Sequence, residues 1–260
     1  MDEAFGTYEF DVRTYECGPD GRASLPTICN YLQEAASRNA GSLKFSKTNF
    51  DAAGENISWV LTRLRVKMDR YPRWEDRATV ATWPSGGRRI VAYRDFEIRD
   101  AAGAHLGSAT SEWMLIDLSS RRVVPIPGYV FSCVNTARGR ILGETPFAKL
   151  RWEGPAEANA GTFRAKRGDI DMNGHVNNVH YVEWLLEGVP ADAGVCRDFD
   201  IVFKAETLAG EDVNAACVEQ APGTRLHRLF AADGRDHVLA KTEFERRLPF
   251  GRQAGGEVES

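Results

Sequence analysis

The stretch that decides the reading is Arg167-Gly168-Asp169-Ile170-Asp171-Met172-Asn173-Gly174-His175-Val176-Asn177-Asn178-Val179-His180-Tyr181. Its positions supply carboxylates, amides, imidazoles and glycines at high density. A helical pattern follows directly. Val179, Val182, Leu185, Leu186 and Val189 recur at three- and four-residue steps, the buried face of an amphipathic helix, and Pro190 stops it. Asn177 or Asn178 can cap this helix, because a short amide side chain accepts from the free N–H groups of the first turn. A polar loop therefore feeds the positive end of a helix, where backbone N–H groups can stabilise a developing negative charge. In an extended backbone Asp171, Asn173 and His175 would point the same way. The bland alternative is a capped turn in which Asp, Asn and Gly do ordinary turn chemistry; the density of polar groups argues for more than that.

The rest of the composition narrows the class. With 260 residues, 43% hydrophobic and 27% charged, the chain has the makeup of a soluble globular protein of one or two domains. A net charge of -4 argues against a general affinity for nucleic acid. No apolar run is long enough for a transmembrane helix. Met1-Asp2-Glu3-Ala4-Phe5 is acidic and reads as neither a signal nor a transit peptide. The cysteines (Cys17, Cys29, Cys133, Cys196, Cys217) are scattered and odd in number, which suits reduced thiols in a cytoplasm better than a disulfide framework or zinc site. His175 and His180 lie five apart, not the four that would put two metal ligands on one helix face, and no metal or cofactor is expected. Walker, dinucleotide and serine-hydrolase motifs are lacking.

Along the chain the first half reads as a strand over Tyr8 to Tyr15, a Gly18-Pro19-Asp20-Gly21 turn, and a Ser24-capped helix with Pro26 in its first turn running toward Ala40. Strands follow at Trp59 to Met68, Ala78 to Trp83, Ile90 to Arg99 and His105 to Asp117. Pro84-Ser85-Gly86-Gly87 and Asp100-Ala101-Ala102-Gly103 are expected to join them. After a polar connector the order repeats. A strand over Phe163 to Asp169 leads into the opening loop and helix, then strands span Asp198 to Glu206, Asp212 to Gln220, Arg225 to Ala231 and Val238 to Arg247. A shift of 153 lays Asp20-Gly21 on Asn173-Gly174, and a shift of 136 lays Val66 on Val202. A duplicated α+β unit accounts for this, each helix wrapped by an antiparallel sheet. The expected division is 1–134 for the first repeat, 135–160 for the connector, 161–250 for the second repeat and 251–260 for a frayed tail.

A helix wrapped by an antiparallel sheet and entered through this loop resembles the hotdog fold, and the sequence is most similar to the acyl-ACP thioesterases, whose single chain carries two tandem hotdog repeats. The second-repeat signature of that family is matched by Asp169 to Asn178 with Tyr181. Its first-repeat stretches are matched by Gly18 to Ala36, Trp59 to Arg63, Arg70 to Asp76 and Thr110 to Trp113. The resemblance implies hydrolysis of fatty acyl-ACP to free fatty acid and ACP, with acyl carrier protein as partner and the acyl chain in the first repeat. It carries the catalytic set onto Asp171, Asn173, His175 and Glu206. Two departures stand out. Thr207 occupies the place where some plant members have a cysteine, so a Cys–His mechanism has no cysteine there. Gly174 replaces the usual glutamine of plant members.

The chemistry of the residues agrees, since a carboxylate acting through water is the simplest activation left when no nucleophile motif is legible. Glu206 is expected to activate the water, Asn173 and His175 to position it or polarise the carbonyl, and Asp171 to orient the loop; direct attack by Asp171 stays open. Alone, Glu206 reads as a solvated strand-end charge. Tyr181 and Trp184 read as core, and His180 as a polar-face helix residue. Basic pairs and triplets (Arg63, Arg65, Lys67; Arg88, Arg89; Arg121, Arg122; Arg246, Arg247) read as solvated strand faces, some of which could meet an acidic carrier protein. An acyl-CoA thioesterase of the same fold and a non-catalytic acyl-binding module are the rivals. Hotdog sheets often pair edge to edge, so a homodimer is left open, although two fused repeats can satisfy that pairing internally.

Overall fold

The structure, a computed structural model, describes residues 4–135, 138–144, 146–155 and 160–245. Strand β1 (Gly6–Asp11) alternates Tyr8 and Phe10 inward, but it ends before Tyr15, which sits exposed in a 3-10 turn at Thr14–Glu16. Helix α1 (Leu25–Ser42) starts where Ser24 accepts from Thr27 N–H at 3.2 Å, with proline in its first turn. It buries Ile28, Leu32 and Ala35. A short helix α2 (Lys47–Ala52) precedes β2 (Ile57–Met68), β3 (Arg77–Arg88), β4 (Val91–Asp100), β5 (His105–Asp117) and the three-residue β6 (Arg122–Val124); α3 (Gly128–Ser132) closes the half.

The second half repeats the order with β7 (Gly161–Arg164), a 3-10 turn at Arg167–Asp169, α4 (Asn178–Leu186), β8 (Val195–Phe203), β9 (Asp212–Ala221), β10 (Thr224–Phe230) and β11 (Asp236–Glu245). Asn177 is the cap of α4, accepting from Val179 N–H at 3.0 Å. Tyr181 and Trp184 are buried, and Trp184 stacks on Phe163 with ring centroids 5.7 Å apart. Among the described residues no helix is long and apolar enough to cross a membrane. The 251–260 tail and Arg246-Arg247 lie outside the described residues.

The two sheets are one. Strand order is β1-β3-β4-β5-β2-β8-β11-β10-β9-β7, with β6 on β5, so β2 and β8 join the repeats as antiparallel neighbours. Both helices lie against this sheet and touch each other, and Asn178 Nδ2 on α4 donates to Gln33 Oε1 on α1 at 3.2 Å. The junction corrects the reading of Arg63 and Arg65 as solvated. Arg63 makes a two-pronged pair with Asp200 (2.9 and 2.7 Å) and Arg65 with Asp198 (2.9 and 2.6 Å), all four side chains being at least three-quarters buried. Arg63 also stacks on Phe147 at 4.5 Å, so the connector is strapped over the seam.

The internal repeat is visible bond by bond. Asp171 N–H donates to His175 O at 2.8 Å, as Gly18 N–H does to Arg22 O at 2.8 Å; Val176 N–H donates to Thr207 O at 3.0 Å, as Ala23 N–H does to Pro72 O at 2.9 Å. The first pair agrees with the shift of 153. The second, 207 against 72, makes the shift over the later strands 135 rather than 136. One residue matters, because it exchanges the two faces of a strand: buried Val66 falls on buried Ile201, not on Val202.

Two further expectations change. Pro84 to Gly87 is no connection; β3 runs through it with a bulge between Pro84 and Gly86, and the turn is at Arg89-Ile90. Gly87 is small because a Cβ there would lie 2.6 Å from both Phe131 Cε1 and the Val91 carbonyl oxygen. Strand β8 stops at Phe203, so Glu206 stands on the β8–β9 loop.

Candidate active site

The Asp171–His175 loop is a tight turn rather than an extended arm. Ile170 and Val176 bridge across it, Gly174 takes φ 85°, and Gly174 N–H donates to Asp171 O at 3.0 Å. A glycine meets that left-handed conformation without steric cost. The Asp171 carboxylate turns into its own loop, accepting from Asn173 N–H at 2.8 Å and from Asn173 Nδ2 at 3.2 Å.

Glu206 comes to this loop through backbone. Its neighbour Thr207 accepts from Val176 N–H, tying the residue after Glu206 to the residue after His175. Beneath, fully buried Thr207 and His237 share a hydrogen bond of 3.0 Å between Oγ1 and Nδ1, and the same Nδ1 lies 3.1 Å from Glu206 O. The outcome is a contact of 3.2 Å between His175 Nε2 and Glu206 Oε2. The other carboxylate oxygen is engaged by Arg121 Nη2, reaching across from the β5–β6 turn of the first repeat. Arg121 is thus exposed as expected, but it sits in a turn and is paired with Glu206. Its contact with Glu206 is not legible locally, since it depends on two repeats folding together. Arg121 takes φ 58°, a left-handed conformation uncommon for a residue with a side chain.

Next to the loop lies a cavity of about 220 Å³ in the first repeat. Its walls are largely apolar, with Ala36 and Ala40 from α1, Trp59 from β2, Trp113 from β5 and Val130 from α3. Met172, almost fully exposed, and Asn173 stand on its rim. Asn173 thus belongs both to the loop and to the cavity. Buried Arg94 is also in the wall, held by Asn39 Oδ1 at 2.6 Å and Thr82 Oγ1 at 3.2 Å, with burial pulling its pKa down to about 10. At the start of α4, Val179 N–H is taken by the cap and His180 N–H by Asn177 O at 3.0 Å, so these two donors are already engaged. Among the described residues no cluster of His, Cys, Asp and Glu has the arrangement of a metal site.

Residues 4–133 match the acyl-ACP thioesterase N-terminal domain and residues 153–246 its C-terminal domain. The chain belongs to the acyl-ACP thioesterase family. It is 31% identical to the chloroplast oleoyl-acyl carrier protein thioesterase of Coriandrum sativum, over 92% of this chain and 71% of that protein. Identity to the chloroplast palmitoyl-acyl carrier protein thioesterase of Arabidopsis thaliana is 32%, over 92% of this chain and 64% of that one. The crystal structure of an acyl-ACP thioesterase from Bacteroides thetaiotaomicron superimposes with a TM-score of 0.81 at 26% identity, covering 94% of this chain and 100% of that one. The two-repeat hotdog architecture read from the sequence is therefore that of the family.

Proposed function

We propose that this acyl-ACP thioesterase hydrolyses its substrate through water activated by Glu206, with His175 and Asn173 beside the scissile carbonyl. The reaction is that of the family: a fatty acyl thioester on acyl carrier protein is cleaved to free fatty acid and ACP, ending chain elongation. The observation that carries the mechanism is the 3.2 Å contact of His175 with Glu206 at a loop whose Asn173 also lines the cavity. A carboxylate oxygen has more than one lone pair, so Glu206 can hold His175 and Arg121 and still accept from a water. In this scheme the water proton passes to Glu206 as its oxygen adds to the carbonyl carbon. The tetrahedral oxyanion is met by the Asn173 amide or by His175, and collapse expels the phosphopantetheine sulfur, which takes the proton from Glu206. Engagement of both Asp171 oxygens with Asn173 supports a positioning role for Asp171 over direct attack. The acyl chain would occupy the first-repeat cavity. Arg88, Arg89 and Arg122, exposed on that same repeat, offer cations to the acidic carrier protein. Scattered free cysteines suit a cytoplasmic setting. Pairing of β2 with β8 supplies internally the edge contact that a homodimer would otherwise make.

The test is release of free fatty acid from a panel of acyl-ACPs and the matching acyl-CoAs. Faster turnover of the carrier-protein substrates supports the proposal. Equal turnover of both sets would make the chain a general acyl thioesterase, and binding without turnover would make it an acyl-binding module.

A further inference from the structure

The loop that carries His175 has a twin. In the first repeat Gly18 to Ser24 makes the same turn as Asp171 to Asn177: Cys17 bridges Ala23 as Ile170 bridges Val176, Gly21 N–H donates to Gly18 O, and Ser24 caps α1 as Asn177 caps α4. The loop after β2 matches the loop after β8 in the same way, Glu75 N–H donating to Val12 O as Gly210 N–H does to Ala165 O. The chemistry at the matched places is different. Arg22 stands where His175 stands, and Tyr71 stands where Glu206 stands. Tyr71 is buried, its hydroxyl donating to Cys196 O at 2.9 Å. The twin therefore has no acid–base pair.

What it has is a cross-strand pair of arginines. Arg22 and Arg73 are antiparallel bridge partners. Directly opposed residues of that kind sit with their Cα atoms roughly 5 Å apart and their side chains on one side, where like charges repel. Among the described residues neither guanidinium has a carboxylate partner. The adjacent acids accept from main chain: Asp20 Oδ1 from Arg22 N–H at 3.2 Å, and Asp76 Oδ2 from Arg73 N–H at 2.7 Å. Both arginines line a cleft of about 510 Å³ with Arg70 and Arg77, which are paired with Asp100 at 2.7 Å and Asp11 at 2.9 Å. Asp76 and Asp100 share this lining, and Arg77 also pairs with Glu9 at 3.2 Å, so Arg22 and Arg73 are the cleft's arginines without an ion pair among the described residues.

We propose that the twin of the active site is a non-catalytic oxyanion site, taking a phosphate group between the guanidinium groups of Arg22 and Arg73. Two planar forks carried on directly paired backbone positions and lining one cleft suit the tetrahedral, multiply accepting phosphate, and a doubly charged anion removes the repulsion between them. The source is either free phosphate or a phosphate monoester.

The 260-residue protein is titrated calorimetrically with inorganic phosphate and with glycerol 3-phosphate, alongside Arg22→Gln and Arg73→Gln. Saturable binding in the millimolar range or tighter is expected, weakened about tenfold or more in each variant, the loss of one charge-assisted contact. Phosphate should also raise the Tm of the wild type by more than that of either variant. Both variants should keep wild-type acyl-ACP hydrolysis, which shows that they fold. Equal binding of the two ligands identifies a free-phosphate site, and preference for the ester identifies an ester site; either supports the proposal. No saturable binding of either ligand, or binding undiminished in both variants, overturns it.

Discussion

Glu206 is placed by the backbone on either side of it, and one of its oxygens is held by a residue of the other repeat. Arg121 fixes that oxygen and leaves the second facing His175. Arg121→Gln should therefore lower kcat on acyl-ACP by roughly tenfold to a hundredfold while Tm hardly changes, because an exposed ion pair contributes little to stability. Steady-state kinetics with a melting curve check both halves. A second residue carries a pH signature. His227 is buried against Thr242 Oγ1 at 2.8 Å, and burial pulls its pKa down to about 4 from 6.5. The unfolded chain takes the proton below about pH 6.5 while the native state resists until about pH 4, so this contribution to stability is lost as pH falls through that window. Between pH 7 and pH 5 urea unfolding should show a loss of roughly 2 kcal/mol in the wild type that His227→Gln lacks. Asp171, Asn173 and His175 are legible in the sequence as one dense polar loop, whereas Glu206 stands out only through the resemblance to the family. Arg121 and His237 carry no such signal, because their partners are far away in the chain.

At the scale of elements, the capped loop–helix unit occurs twice, which makes an internal control. Asn177→Ala and Ser24→Ala should each cost about 1 kcal/mol of stability, the usual worth of an N-cap. Only Asn177→Ala should also depress kcat, since its loop carries His175, and parallel denaturation and rate measurements separate the two effects. Helices and turns are readable because capping residues, proline and apolar spacing act locally: Ser24, Pro26 and Asn177 sit where those rules put them. Strand ends are harder. The Pro84–Gly87 segment carries turn residues, yet its last glycine answers a close approach by Phe131, a neighbour that no local pattern announces.

For the whole molecule, the duplication is readable from element order, but the fusion of two sheets at β2 and β8 is not, because pairing across the repeats is decided only when they meet. The seam rests on Arg63–Asp200 and Arg65–Asp198. Burial raises the pKa of Asp200, and Arg63 opposes that rise. Arg63→Ala should destabilise the fold by roughly 3 kcal/mol or more by leaving the Asp200 carboxylate buried and unpaired. Adding Asp200→Asn should restore part of that loss, as a double-mutant cycle followed by urea unfolding would record.

The measurement that bears hardest on the role of Glu206 is kcat of Glu206→Gln on acyl-ACP, with Tm taken on the same preparation. An unchanged Tm and a fall in kcat of about a thousandfold or more are expected, the scale of losing a general base. A near-native kcat in the folded variant would contradict that role and return the activation of water to Asp171 or His175.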